Sequence, residues 1–381
     1  MTNKASLSGL YIHIPFCRIK CMYCDFYSVA DRDETIPSFF EALFNEIRLY
    51  ANHKDIFFID SIFIGGGTPS LVSPSIMAQL IELLHLSFDL SKVKEFTIEA
   101  NPGEAPIDSL KEFHQMGINR LSLGAQSLNP KILKFLSRIH DTKQIYETFD
   151  NARTAGFENI NCDMIFNIPN QSLNTWKHDL SKIASLDPEH LSCYSLTVEN
   201  GTQLYNLVKN NKVAMPLDDE SFHFYDWTQK FLLENQYHQY EVSNWSKDNK
   251  TCFHNLHYWR IEPYLAFGPS AHGFDGQIRY SNIRNIDTYI KSLDKNELPI
   301  QNQEELTDKN MANELIGFGL RMNEGIKLNK IPNSQISILN HNIEKFESKW
   351  GKYMHNQNGR LSLKSDGMRF ADAVAIDLII E

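Results

Sequence analysis

The sequence predicts an α/β protein: an open (β/α)6 partial barrel followed by a smaller C-terminal α/β domain of winged-helix-like type. Three observations carry this. Six short β-rich runs follow one another with helical patterns between them. The runs are nearly continuous in apolar residues, as in parallel strands covered on both faces. Glycine and polar residues gather where each run ends, the place where the loops of such a barrel converge on one mouth.

The first run, GLYIHIP from Gly9, leads into FCRIKCMYCD from Phe16 and then a helical pattern, SFFEALFNEIRLYA from Ser38. SIFIGGG from Ser61 precedes SIMAQLIELLHLSF from Ser75, and EFTIEAN from Glu95 precedes DSLKEFHQMG from Asp108. RLSLGAQ from Arg120 is followed by TKQIYETFDNARTAG from Thr142, and INCDMIFNIP from Ile160 by NTWKHDLSKIASL from Asn174. LSCYSLTV from Leu191 is the sixth run. Several helical patterns open at Ser, Thr, Asn or Asp and two close at Gly, the usual helix start and stop signals. The rhythm then changes, and the polar, aperiodic SNWSKDNKT suggests a division into residues 1–245 and 246–381. The tail combines helical MANELIGFGLRMNEG and SILNHNIEKFESKWG with β-like RLSLKSDGMRF.

A chain of 381 residues suits one large domain and a smaller one. Lys and Arg number 37 against 47 for Asp and Glu, a net charge of −10 with no basic run, which argues against a nucleic-acid partner. The start lacks the pattern of a signal peptide, and no stretch reaches the roughly 18 apolar residues of a membrane span, so a cytoplasmic protein is expected. Six cysteines are too few for a disulfide scaffold and should be reduced there, which leaves metal chemistry for the close trio Cys17, Cys21 and Cys24.

Thiolates suit soft iron, and a [4Fe-4S] cube held by three of them keeps one corner for an exchangeable ligand. The competing readings are a Cys3His zinc site using His13 or a distant histidine, and a partly accidental cluster of cysteines. Zinc would leave the other mouth residues unexplained. Gly65, Gly66 and Gly67 followed by Thr68 and Pro69 exceed what a turn needs, and would let a small ligand lie against exposed amide and carbonyl groups beside the Thr68 hydroxyl. Glu99 could cap a helix or pair with a cation, but it sits at a strand's C-terminal end. Asp163 inside CDMIF needs a partner such as Arg138 or a ligand. Gln126 could simply satisfy backbone. HNLHYW, with His254, Asn255, Tyr258 and Trp259, offers an imidazole, an amide and two aromatic faces suited to a porphyrin, and equally reads as core filling.

CRIKCMYC resembles the CxxxCxxC signature of radical S-adenosylmethionine (SAM) enzymes, and IGGGTP their SAM-amine motif. YIHIPFC, GGGTPS, EANP, RLSLGAQS, LSRIH and DMIFNIP, in matching order over about two thirds of the chain, resemble the oxygen-independent coproporphyrinogen III oxidase family. The oxidases proper carry CxxxCxxCxC, and Phe26 stands here at the last position; HNLHYW is similar to the HNxxYW motif of the heme chaperone branch, HemW. The resemblance implies that Cys17, Cys21 and Cys24 ligate a [4Fe-4S] cluster whose free iron is chelated by SAM. It places Tyr11 near the methionyl end of SAM, Gly66, Gly67 and Thr68 along its amine, and Glu99 on the ribose side. Gln126, Arg138 and Asp163 match mouth positions that hold a second SAM in the oxidase relatives. His254, Asn255, Tyr258 and Trp259 are implied in heme binding, with His254 the best ligand candidate and Cys252 behind it.

The implied function is a heme carrier that delivers heme to an acceptor protein, a respiratory one included, with an electron donor for the cluster. A homodimer and peripheral contact with membrane-bound acceptors are compatible with it. The alternatives are a radical SAM coproporphyrinogen oxidation in porphyrin biosynthesis and a zinc-stabilised structural module. Phe26 and HNLHYW favour the carrier.

Overall fold

A computed structural model describes residues 7–51 and 58–381. The six expected strands are β1 (Leu7–Ile14), β2 (Phe58–Gly66), β3 (Glu95–Ala100), β4 (Arg120–Gln126), β5 (Ile160–Phe166) and β6 (His190–Ser195). Between them run α1 (Ile36–Tyr50), α2 (Pro74–Ser87), α3 (Ile107–Gln115), α4 (Pro130–Phe135), α5 (Thr142–Ala155) and α6 (Leu173–Ala184). Neighbouring strands pair parallel in sequence order, as right-handed βα crossovers produce. Local chemistry fixes the helix ends. Asp141 and Gln144 form a reciprocal capping box at the start of α5, Gly156 closes it at φ 105°, and the Ser172 hydroxyl caps α6.

The strands are not evenly apolar, as their composition suggests; they alternate. Leu10, Ile12, Ile14, Ile62, Ile64, Ile98, Leu121, Leu123, Cys162 and Met164 are all buried in one core with Phe39, Leu43, Met77, Leu80, Leu110, Phe113 and Phe149 of the helices. Each such side chain removed from water contributes roughly 1.5–3 kcal/mol. The alternate positions carry Tyr11, His13, Phe63, Thr97, Glu99, Arg120, Ser122, Asn161, Asp163, His190 and Ser192. They face inward, and this polar wall is what a barrel needs if its interior is to receive a ligand rather than fill itself with aliphatic layers.

The sheet continues past position 245. After α7 (Gln203–Lys209) and α8 (Asp218–Glu234) come β7 (His238–Glu241) and β8 (Asn244–Ser246), and β8 pairs antiparallel with β6. Then α9 (Phe253–Trp259) precedes β9 (Tyr264–Phe267), which pairs parallel with β1, and β10 (His272–Phe274), β11 (Ile278–Asn282), α10 (Ile286–Leu293) and β12 (Ile300–Glu305) complete that side. The order is β12-β11-β10-β9-β1-β2-β3-β4-β5-β6-β8-β7, so the barrel stays open. The C-terminal unit holds α11 (Asp308–Gly319), β13 (Ile326–Lys327), α12 (Asn333–Lys345), α13 (Glu347–Trp350), β14 (Met354–Gln357), β15 (Arg360–Leu363) and α14 (Ala371–Leu378). Its three-stranded antiparallel sheet has the order β13-β15-β14. Among the described residues no helix is long and apolar enough to cross a membrane.

Candidate functional site

The loop after β1 carries the three cysteines, all free thiols of intermediate exposure. Its base is clasped: the Cys17 amide donates to Val29 O at 3.0 Å and the Val29 amide to Pro15 O at 2.8 Å. Each thiol has its own donor. Thr68 Oγ1 donates to Cys17 Sγ at 3.6 Å, Arg138 Nη1 to Cys21 Sγ at 3.4 Å, and the Phe26 amide to the Cys24 sulfur. Burial nevertheless pushes the Cys17 thiol up and the Cys24 thiol up to about 11, the neighbouring thiols adding to the effect. At neutral pH these sulfurs become thiolates when a metal takes them and the protons leave.

The donor set fits an iron-sulfur cube better than zinc. Among the described residues no three His, Cys, Asp or Glu side chains converge as a single metal ion requires. His13, the histidine the zinc reading names for the fourth position, is committed: its Nε2 donates to Tyr27 O at 2.7 Å, which leaves Nδ1 to accept from the Tyr11 hydroxyl at 3.0 Å. Burial lowers the His13 pKa to about 4, so the ring is neutral. A cube, by contrast, takes each thiolate on a different iron and welcomes hydrogen bonds to sulfur.

The glycines serve the chain before any ligand. A side chain on Gly67 would come within 2.5 Å of Phe16 O, and one on Gly66, at φ 109°, within 2.6 Å of the His13 ring. The amides of Gly67 and Thr68 donate to Ile14 O and Phe16 O, while that of Gly66 donates to Glu99 Oε2 at 3.1 Å. The expectation that these amides stand open to a ligand therefore meets a correction: they splice β2 to the cysteine loop, and the ligand is left the remaining carbonyl and side-chain edges.

Glu99 and Asp163 approach one another across the interior. Burial, then the charge of Asp163, raises Glu99 to about 8, with the Gly66 amide and Arg120 opposing. Asp163 Oδ2 accepts from Ser122 at 3.1 Å and Oδ1 from Asn161 Nδ2 at 2.9 Å. Arg138 does not reach it; its guanidinium goes to Cys21, Gly124 O and Asn101 Oδ1. Gln126 is buried at the end of β4 with φ 65°, beside Gly124. Tyr11 stands midway down the wall, its ring 6.3 Å from those of Phe63 and His254.

The HNLHYW segment does not join this mouth. It forms α9, which lies across the opposite end of the barrel, against the first residues of the strands. The Glu95 carboxylate, at the start of β3, accepts from the amides of Phe253 and His254 and so caps α9 from another element. His254 is 1 % exposed, with Nδ1 3.2 Å from Ser61 Oγ and Nε2 2.7 Å from the Tyr258 hydroxyl. His257 bridges Asp60 at 2.7 Å and Glu262 at 3.0 Å; these bonds outweigh burial and raise it to about 9. Asn255, Tyr258 and Trp259 are partly buried.

The sequence places Asn101 at the mouth, at the end of the third strand, but gives it no role, although it is the hub between Thr68, Glu104 and Arg138. Sequence reading passed over Arg120, buried inside the wall: burial works against its charge, and Cys252, Glu95, Tyr240 and Asp163 outweigh it. The signal was there in the strands' alternate positions, where polar residues recur from Thr97 to Ser192.

Residues 11–183 match the model of the radical SAM superfamily. The chain is 34% identical over 324 residues to the heme chaperone HemW of Bacillus subtilis, covering 84% of this chain and 85% of that protein. It is 36% identical to the Escherichia coli heme chaperone HemW over 270 residues, 70% of this chain and 69% of that one. Radical S-adenosyl methionine domain-containing protein 1, mitochondrial, of Danio rerio is 35% identical over 332 residues, 85% of this chain and 75% of the relative. The coproporphyrinogen III oxidase HemN of Escherichia coli superposes with a TM-score of 0.84 at 20% identity, covering 98% of this chain and 90% of that one, and so shares the fold. With the cysteine loop, the glycine splice and the open barrel in place, the chain belongs to the HemW family of radical SAM proteins.

Proposed function

We propose that this protein binds heme and passes it to an acceptor protein, and that it carries a [4Fe-4S] cluster on Cys17, Cys21 and Cys24 with SAM at the fourth iron. The reading rests on likeness to heme chaperones along most of the chain, and on three thiols at the barrel mouth that each meet a separate hydrogen-bond donor. When bound, the cluster supplies one-electron chemistry and a Lewis-acidic iron beside SAM. The chain's own residues bind and orient: Tyr11, Gly66, Gly67, Thr68 and Glu99 line the approach to the cysteines, and Gln126, Arg138 and Asp163 bound the same mouth. An electron donor and reduced cytoplasmic thiols belong to this reading.

Heme contact is assigned to the HNLHYW side of the molecule, through Asn255, Tyr258 and Trp259. Ligation by His254 requires α9 to leave the barrel base, because both ring nitrogens are bonded within it. The test is heme titration of the reconstituted protein followed by addition of an apo-acceptor. Transfer of the Soret band to the acceptor supports the reading. Conversion of coproporphyrinogen to protoporphyrinogen without heme transfer replaces it with the oxidase.

A further inference from the structure

We propose that Asn101 sets the electron affinity of the cluster by positioning the donors on two of its three thiolates. The inference rests on the assignment of Cys17 and Cys21 as cluster ligands. Asn101 touches neither sulfur. Its Nδ2 donates to Thr68 Oγ1 at 2.8 Å and to Glu104 Oε2 at 2.8 Å, and its Oδ1 accepts from Arg138 Nη2 at 2.8 Å. The partners fix which way the amide points: a flipped amide would set NH2 against a guanidinium and oxygen against a carboxylate.

Two consequences follow from that orientation. The Thr68 hydroxyl owns one proton, and because its oxygen already accepts from Asn101, that proton is directed to Cys17 Sγ. Arg138 is held from one side by Asn101 Oδ1 and Gly124 O, the latter at 2.7 Å, which leaves Nη1 aimed at Cys21 Sγ. Gly124 is required for this approach, since a Cβ there would lie 2.5 Å from Arg138 Nη2 and 3.1 Å from Asn101 Oδ1. Cys24 takes its donor from the Phe26 backbone and is independent of Asn101. Reduction adds negative charge to a cluster, and hydrogen bonds to sulfur strengthen as that charge grows, so each directed donor favours the reduced form. Asn101 is thus a positioning residue that acts on the potential through Thr68 and Arg138.

The experiment is a potentiometric titration, read by electron paramagnetic resonance without SAM, on the anaerobically reconstituted full chain and its Asn101→Leu, Thr68→Val and double variants. Iron and sulfide are counted in each. Each single variant is expected to lower the reduced-to-oxidised ratio at a fixed potential about tenfold, a fall of about 59 mV for one electron. The double variant is expected to fall no further than Asn101→Leu, because the Thr68 proton is already misdirected there. Wild-type potentials in cluster-loaded single variants, or additive shifts in the double, overturn the inference. Should Asn101→Leu fail to load, Asn101→Asp carries the test: its carboxylate draws the Thr68 proton from Cys17, so adding Thr68→Val must change nothing, and a further fall overturns the proposal. Absence of iron and sulfide from the wild-type protein overturns the cluster assignment itself, and is read before any potential.

Discussion

Replacing His254 with alanine separates a structural plug from a heme ligand. The ring occupies the barrel base, 1 % exposed, with Ser61 and Tyr258 hydroxyls on its two nitrogens and the Gly9 backbone against one edge. His254→Ala leaves those hydroxyls without a partner. Each orphan costs about 1–3 kcal/mol, and the low end applies because Tyr258 is partly exposed and water can enter the space, giving about 2 kcal/mol for the pair. The lost ring leaves a cavity beside Phe63 and Tyr11, worth about another 2 kcal/mol. Hence a destabilisation of about 4 kcal/mol is expected, a large share of the roughly 5–15 kcal/mol that holds a domain folded. Denaturant unfolding of the two proteins measures it, and a heme titration below the transition shows whether affinity and Soret position change. The plug account predicts a lower unfolding midpoint with unaltered heme binding. A variant as stable as wild type that has lost its heme would refute it.

Other consequences are smaller in scope. Glu46 is fully buried, with no cation beside it among the described residues; burial raises its pKa from 4.5 to about 7, against hydrogen bonds from Tyr289, the Gly268 amide and Asn282. A carboxyl raised in the folded state stabilises fully below the unfolded value and loses that contribution as pH climbs through the folded one. Stability should therefore fall by about 3 kcal/mol from pH 4.5 to above 7 on this account, and Glu46→Gln should flatten that slope in pH-dependent unfolding. Gly66→Ala places a methyl on a left-handed backbone and 2.6 Å from the His13 ring, so a loss of at least about 1–3 kcal/mol and poorer iron retention are expected by thermal melting and iron analysis. Phe26→Cys should leave iron content unchanged, because residue 26 serves Cys24 through its amide; a gain of coproporphyrinogen turnover in that variant would show that the side chain alone separates carrier from oxidase.

The six-unit barrel was legible because its strands and helices carry strong local signals: apolar β-rich runs, capping residues such as Asp141 and Ser172, and the closing Gly156. The cysteine loop was legible from spacing alone. What spacing could not give was direction. GLYIHIP reads as a continuous apolar run, yet Leu10, Ile12 and Ile14 pack under helices while Gly9, Tyr11 and His13 face the interior. HNLHYW offers side chains suited to a porphyrin, but its placement depends on Glu95, Ser61 and Asp60, which lie far earlier in the chain.

 Sequence separations of 159, 193 and 197 residues tie His254 to Glu95 and Ser61, and His257 to Asp60, and no local pattern foretells pairings of that length. The role of Asn101 escaped for the same reason: its neighbours in EANP say nothing of Thr68 or Arg138, which reach it from two other loops.

The most direct test of the account is the electron paramagnetic resonance spectrum of the reduced, anaerobically reconstituted protein before and after SAM is added. Three cysteine ligands and an open iron predict about four irons and four sulfides per chain, and a signal whose g values shift when SAM arrives. Loss of that signal in the Cys17→Ser, Cys21→Ser and Cys24→Ser variants belongs to the same prediction. A protein that takes up no cluster under these conditions, or one whose spectrum is indifferent to SAM, would contradict it.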